Sequence, residues 1–310
     1  LTDLANPKRS SDSAGADYVE RINRAIDFVV RNLEEPIRLE EVARVSCFSQ
    51  FHFHRVFRAL LGETLNQFVK RLRLERALSL MSHEPGRSLT QVAFASGFSS
   101  SSDFSRSFKA RYGVPPSAFD VQTFRKNKRE ELQDAITSAE TRYQLDRLQP
   151  GDNPDGFQVE IREIPARTVA YIRVLNPYVG PGVVDAAERL VAWAEARALA
   201  AGQWLGYMWE DPNIVAHENC RYDVAVVVDH VDRAGEVGRF EFPPMLVAQV
   251  EVRGPIDLEV RALDWLYGTW LPKSRYVPDD HPGFEAWIGR PFAHGHEHFE
   301  LYVQVPIKRG

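Results

Sequence analysis

L-T-Q-V-A-F-A-S-G-F-S-S-S-S-D-F-S-R-S-F-K, Leu89 to Lys109, restates a pattern already present from Leu39 to Phe57 as L-E-E-V-A-R-V-S-C-F-S-Q-F-H-F-H-R-V-F. Each stretch reads as a short amphipathic helix, a tight turn and a second helix, since apolar residues recur at helical spacing on both sides of a small-residue break. The copies lie about 51 residues apart, and two such second helices on one polypeptide suit two successive major-groove faces of DNA.

Within the first copy, Ser49 stands where a helix N-cap accepts from the orphan amides of the first turn. Phe53, Val56 and Phe57 then share the inward face, which leaves Gln50, Phe51, His54, Arg55 and Arg58 for base edges, thymine methyls and phosphates. In the second copy Ser99 or Ser100 is the cap, and Phe104 and Phe108 pack inward. Ser101, Ser102, Ser105, Arg106 and Lys109 remain for the groove. The competing reading is a generic helical bundle in which Arg55 and Arg106 are merely solvated.

Working outward, Leu65, Phe68, Val69, Leu72, Leu74, Ala77, Leu78 and Met81 mark an amphipathic spacer helix between the copies. Upstream, Tyr18, Ile22, Ile26, Val29 and Val30 mark a helix starting near Asp17 and closed by Pro36, while residues 1–16 are small, polar and aperiodic and read as disordered. Downstream, a charged and helical linker over 121–156 runs to about Leu148 and ends in the P-G-D-N-P-D-G run at Pro150 to Gly156. The domains are therefore expected at 17–120 and 157–310.

The 310 residues carry a formal net charge of -5. That figure hides a division, with an excess of about seven basic charges from Asp17 to Arg129 and of about twelve acidic charges from Glu130 onward. A basic front half suits phosphate contact. No apolar run approaches the roughly 20 residues a membrane span needs and no signal-like stretch opens the sequence, so a cytoplasmic, non-membrane protein is expected. The two cysteines, Cys47 and Cys220, fall in different segments, which argues against a disulfide.

Beyond Gly156 the texture changes to β-branched alternation, in V-E-I-R-E-I, T-V-A-Y-I-R-V, D-V-A-V-V-V, M-L-V-A-Q-V-E-V and E-L-Y-V-Q-V. Helical stretches at Gly182 to Ala201 and Asp257 to Trp270 interrupt it. Self-alignment reveals a second duplication: V-A-Y-I-R-V-L-N-P-Y at Val169 to Tyr178 matches V-A-Q-V-E-V-R-G-P-I at Val247 to Ile256, an offset of about 78 residues that also sets Trp209 on Trp287. The expected fold is thus multidomain, an all-α double helix-turn-helix domain followed by an α+β domain of two strand-helix-strand-strand repeats.

The dense run A-F-A-S-G-F-S-S-S-S-D-F-S-R-S-F-K-A-R-Y-G-V-P-P-S-A-F, Ala93 to Phe119, resembles the signature of AraC-type transcription regulators, and the first copy matches its upstream half. The resemblance covers about 105 residues and implies a seven-helix domain bound to double-stranded DNA. Asp120 departs from it, standing where many relatives have arginine. The acidic half resembles the GyrI-like domain found behind AraC-type domains in Rob-type regulators, through Val159 to Arg173, C-R-Y-D at Cys220 to Asp223, W-L-P-K-S-R-Y at Trp270 to Tyr276 and G-F-E-A-W at Gly283 to Trp287. It departs where N-P-Y replaces G-P-Y and where Trp287 replaces tyrosine.

Residues two apart on a strand share a face, so Tyr207 and Trp209 form one pair and Glu285 and Trp287 another. If the repeats pack about a pseudo-twofold axis, these four side chains, with Tyr178, line one aromatic box holding a carboxylate, suited to a small aromatic or cationic effector. The resemblance implies the same for Glu285, because drug-binding members of the wider family use a matching glutamate. Trp193 and Trp265 read as core. No catalytic residue, metal ligand or cofactor is assigned; H-G-H-E-H at His294 to His298 lacks a companion that fixes a metal geometry. Two alternatives stay open: hydrolysis of reactive small molecules with Glu285 as general base, and a C-terminal domain that binds a protein such as RNA polymerase. The oligomeric state also stays open.

Overall fold

In the structure, a computed structural model, residues 11–137, 151–231 and 235–309 are described, the side chains of 11–17 and 133–137 excepted. The N-terminal half is helical: α1 (Ser11–Arg31), α2 (Leu39–Val45), α3 (Gln50–Leu61), α4 (Leu65–His83), α5 (Leu89–Ala95), α6 (Ser101–Tyr112) and α7 (Val121–Thr137). The first helix starts at Ser11, six residues before the expected Asp17, so the reading of disorder fails over 11–16; residues 1–10 lie outside the described part. Extending an existing helix gains a hydrogen bond per residue without a new nucleation cost, so a weak Ser-Ala-Gly segment can follow the stripe behind it.

The duplication is exact in its turns. Ser46 and Ser96 each donate to the carbonyl four residues back, Val42 and Val92, both at 2.7 Å. The next residue then enters the left-handed region, Cys47 at φ 53° and Gly97 at φ 84°. Gly97 has no room for a side chain, since a Cβ would lie 2.2 Å from the Leu33 carbonyl oxygen. Cys47 takes the same conformation at the strain a non-glycine residue bears there.

α4 serves both copies. Thr64 and Gln67 close a capping box at its start. Leu65, Phe68, Val69 and Leu72 then pack into one core with α1 to α3. Leu74, Ala77 and Leu78 pack into a second with Val92, Phe98, Phe104 and Phe108. At about 1.5 Å per residue this helix spans roughly 28 Å, of the order of one turn of DNA. The linker expected from residue 121 begins as α7, which packs on α4. Asp120 is its cap: Oδ1 accepts from the amides of Gln122 and Thr123, both at 3.0 Å, which lowers the carboxyl's proton affinity. The remainder of the helix read toward Leu148 lies outside the described residues.

The C-terminal half is one sheet with two helices. Its elements are β1 (Glu160–Ile164), β2 (Arg167–Leu175), α8 (Gly182–Glu195), β3 (Trp204–Met208), β4 (Arg221–Val228), β5 (Gly238–Phe242), β6 (Met245–Gly254), α9 (Ile256–Trp265), β7 (Tyr276–Pro278), β8 (Gly283–Trp287) and β9 (Phe299–Arg309). The strand order is β1-β6-β9-β8-β3-β4-β2-β5, with β7 on β9. The expected repeat is therefore present as β2-α8-β3-β4 and β6-α9-β8-β9, joined antiparallel through β3 and β8. Both helices are shorter than read: α8 stops at Glu195, just before Ala198 at φ 56°, and α9 gives way after Trp265 to a single wider turn over Leu266–Trp270.

Each helix covers its own repeat, α8 over β2 and β4, α9 over β6 and β9, which leaves the β3–β8 seam between them. The opposite face curls inward. The rings of Phe242 on β5 and Phe284 on β8 lie 5.0 Å apart, although three strands separate them in the sheet order. A flat sheet would hold them about 19 Å apart. Against this inner face rests α1, with Arg31 over the Phe240 ring at 4.0 Å.

Candidate functional site

Two sites emerge, one on the helical half and one on the sheet. On α3, Ser49 caps by accepting from the His52 amide at 3.4 Å, and Phe53 and Phe57 are fully buried. Gln50, Phe51, His54, Arg55 and Arg58 all face outward, Phe51 with 88% of its surface exposed. An exposed phenylalanine ring beside two arginines leaves apolar surface available to thymine methyls. His52 shares this exposed face and was not singled out from sequence.

On α6 the cap is Ser100, accepting from the Asp103 amide at 3.1 Å, and Phe104 and Phe108 are buried. Ser102, Arg106 and Lys109 are exposed, whereas Ser101 and Ser105 are half-buried and Ser101 donates to Thr90 Oγ1 at 3.5 Å. The second helix thus offers fewer long side chains than the first.

The second site lies on the helix-covered face of the sheet, at the seam. Glu285 on β8 sits opposite Gly206 on β3. The Tyr222 hydroxyl donates to Glu285 Oε2 at 2.5 Å. Gly206 makes this approach possible, because a Cβ there would meet the Tyr222 hydroxyl oxygen at 1.8 Å and Glu285 Oε2 at 2.7 Å. The Trp287 indole and the carboxyl of Glu259, on α9, also hydrogen-bond Glu285. Burial pushes both carboxyls toward their protonated forms, Glu259 most strongly. Tyr178 reaches the same side, donating to Met208 Sδ at 3.0 Å, within electrostatic range of Glu285.

Tyr207 and Trp209 are not part of this cleft. The register pairs Tyr207 with Phe284, so Tyr207 and Trp209 point to the inner face, where they pack with Phe240, Phe242 and Phe284. The offset of 78 residues holds for β2 and β6, where Ala170 and Ala248 share a face. On the central strands it fails by parity: Gly206 and Glu285, 79 residues apart, share a face. One residue of slip moves every side chain of a strand to the other side. The side chains that meet Glu285 are thus Tyr222, Glu259 and Trp287, with Tyr178 held against Met208 nearby; Tyr222 and Glu259 were not read from sequence. A cavity of about 320 Å³ opens beside it, lined by Gly202, Gln203, Trp204, Trp287 and Arg290. A larger one, about 510 Å³, lies between α1 and α8 against Val19, Ile172 and Trp193; neither is lined by Glu285.

The inner face carries the junction between the halves. Arg173 forms a bidentate pair with Asp223 at 2.8 and 2.7 Å and an ion pair at 3.0 Å with Asp27 of α1. The Tyr171 hydroxyl donates to Asp27 Oδ2 at 2.6 Å, and Trp209 Nε1 to Asp223 Oδ2 at 2.8 Å. Farther along, Arg129 of α7 grips Asp264 at 2.6 and 2.5 Å, and Ile214, Val215 and Cys220 pack into the core of the second helix-turn-helix copy. Among the described residues no group of three His, Cys, Asp or Glu converges as a metal site requires. No helix of the described residues is long and apolar enough to cross a membrane.

A helix-turn-helix domain profile matches residues 42–122, and the profile of the GyrI-like small molecule binding domain matches 157–308. An uncharacterized HTH-type transcriptional regulator of Bacillus subtilis, YbfP, is 32% identical over 117 residues, 37% of this chain and only 39% of that protein. The multiple antibiotic resistance protein MarA of Salmonella typhimurium is 29% identical over 102 residues, 32% of this chain and 78% of MarA. A DNA gyrase inhibitor of Edwardsiella piscicida is 34% identical over 159 residues, 48% of this chain and 98% of that protein. Through residues 157–308 the chain belongs to the GyrI-like family, with that domain carried behind an AraC-type helix-turn-helix domain.

Proposed function

We propose that this chain is a sequence-specific, DNA-binding transcription regulator whose C-terminal domain binds a small lipophilic cation. The observation that carries the effector half is Glu285, a half-buried carboxyl at the β3–β8 seam, hydrogen-bonded by Tyr222 and Trp287. Aromatic rings around one anion hold a cation by ring quadrupole and charge together. The reading half rests on two capped helices with buried phenylalanines inside and Arg55, Arg58, Arg106 and Lys109 outside. Such side chains meet phosphates and guanine edges.

In this reading the cleft holds its ligand without turnover. Burial raises the proton affinity of Glu285, and its three hydrogen bonds act against that rise by stabilising the anion and making it a weaker base. Thermal unfolding with a panel of quaternary ammonium ions tests the assignment: a shift in the wild type that disappears in Glu285→Gln supports it, and equal shifts in both remove the charge-matching role. Incubation with reactive electrophiles should show no enzyme-dependent turnover.

A further inference from the structure

The cleft contains two carboxyl groups in mutual contact, and the cation-site reading uses only one. Glu285 is supplied with donors: the Tyr222 hydroxyl at 2.5 Å, the Trp287 indole and the Glu259 carboxyl. Glu259 is not. It is 5% exposed, it hydrogen-bonds Glu285 in the cleft, and its Oε2 is buried without a hydrogen-bond partner among the described residues. A carboxylate stripped of water and donors is far costlier than one that accepts three bonds. Two acidic groups in contact share a proton, and the proton resides on the less solvated one. Glu259 belongs to the first turn of α9, where the helix dipole favours an anion, but that effect is weaker than full desolvation.

We propose that Glu259 is a neutral carboxylic acid donating its proton to Glu285, so that the cleft carries one negative charge and selects monovalent over divalent lipophilic cations. This deepens the cation-site reading above and rests on it. Glu259 then acts as a specificity-determining group: it orients the Glu285 carboxylate and withholds a second charge. Among the described residues, the phenols in the field of Glu285 are Tyr222 on β4 and Tyr178 after β2, and burial pushes both well above their ordinary range, so neither contributes charge near neutrality.

Calorimetric titration of the full chain with decyltrimethylammonium and with an ethylene-bridged bis-quaternary analogue, whose two charges lie about 4 Å apart and can meet two touching carboxyls together, between about pH 6 and about pH 8 tests this. Glu259→Gln, a neutral donor of similar shape, should bind decyltrimethylammonium within about threefold of the wild type across that range. Glu285→Gln should lose about thirtyfold or more. Glu259→Leu, which removes the donor, should fall between, at about tenfold. Equal losses in Glu259→Gln and Glu285→Gln would mean that Glu259 is ionised and would overturn the assignment while leaving the cation site standing. Should Glu259→Gln fail to fold, the wild type still decides: the ethylene-bridged dication binding no tighter than decyltrimethylammonium supports a single charge, and an advantage of about tenfold for the dication overturns it. Wild-type chain that binds neither compound overturns the cation site itself, and the assignment with it.

Discussion

Tyr222 and Asp223 are neighbours on β4 that point to opposite faces of the sheet, and each anchors a polar network on its own face. The Tyr222 hydroxyl donates to Glu285 in the cleft; the Asp223 carboxylate holds Arg173, which reaches Asp27 on α1. In the proposed reading, a ligand that displaces Tyr222 would act on the strand segment that also sets the junction with the helical half. Coupling free energies between sites joined by such a shared element are typically about 1 to 3 kcal/mol.

Arg173 forms ion pairs with both Asp27 and Asp223, and its side chain is 1% exposed. Arg173→Met should destabilise the protein by about 3 to 5 kcal/mol, because it leaves two buried carboxylates facing each other. Asp27→Asn should cost much less, since burial already raises the Asp27 proton affinity and an amide oxygen can still accept from Tyr171. Urea unfolding followed by tryptophan fluorescence measures both, and similar losses would show that the Asp27 charge is itself required.

Glu75 on α4 is fully buried beside Arg71 and in the field of Glu210, and burial raises its carboxyl from 4.5 to about 7. A raised folded value means that the folded protein binds more protons than the unfolded chain between those limits. This group's contribution to stability therefore falls as pH rises from about 4.5 to about 7, by up to about 3 kcal/mol. Glu75→Gln should flatten that part of the profile, with Arg71 still paired to Glu63 at 2.6 Å. Chemical denaturation across this pH range would show an unchanged slope if Glu75 were not responsible.

Cys47 holds the left-handed turn position that Gly97 occupies in the second copy. Cys47→Gly should stabilise the first copy by a few tenths to about 1 kcal/mol, the strain relief being offset in part by glycine's entropy in the unfolded chain. Differential scanning calorimetry showing a fall in the unfolding midpoint would argue that the contact of Arg24 with Cys47 Sγ outweighs the strain.

The two reading helices differ in what they present. Arg55→Ala should weaken specific DNA binding by about 1 to 3 kcal/mol and relax base preference in one half-site, whereas Ser101→Ala, at a half-buried hydroxyl, should be milder. Fluorescence polarisation at fixed salt on a selected operator compares them, and equal losses would contradict the asymmetry.

Much of the fold was legible because it is written in local periods. The inward phenylalanines at 53, 57, 104 and 108, the Ser49 cap and the dividing apolar stripe of α4 follow from helical spacing alone. The second duplication was also visible, down to the shared face of Ala170 and Ala248. Asp120 as a cap was missed because its effect depends on α7 starting at Val121, a boundary that charge-rich sequence does not mark.

By itself, then, the sequence determined which helices exist, which of their faces are buried, that the sheet is built twice, and that Glu285 and Trp287 share a strand face. Tertiary structure alone decided which aromatics surround that carboxylate. Strand sides alternate with every residue, so the shift from an offset of 78 to one of 79 sent Tyr207 and Trp209 to the inner face and left Tyr222 and Trp287 in the cleft. Glu259 entered from α9, and Asp27 met Arg173 across about 146 residues of chain. No spacing rule reports such contacts, because they are fixed by how α1 and α9 dock on the sheet and not by the order of residues along it.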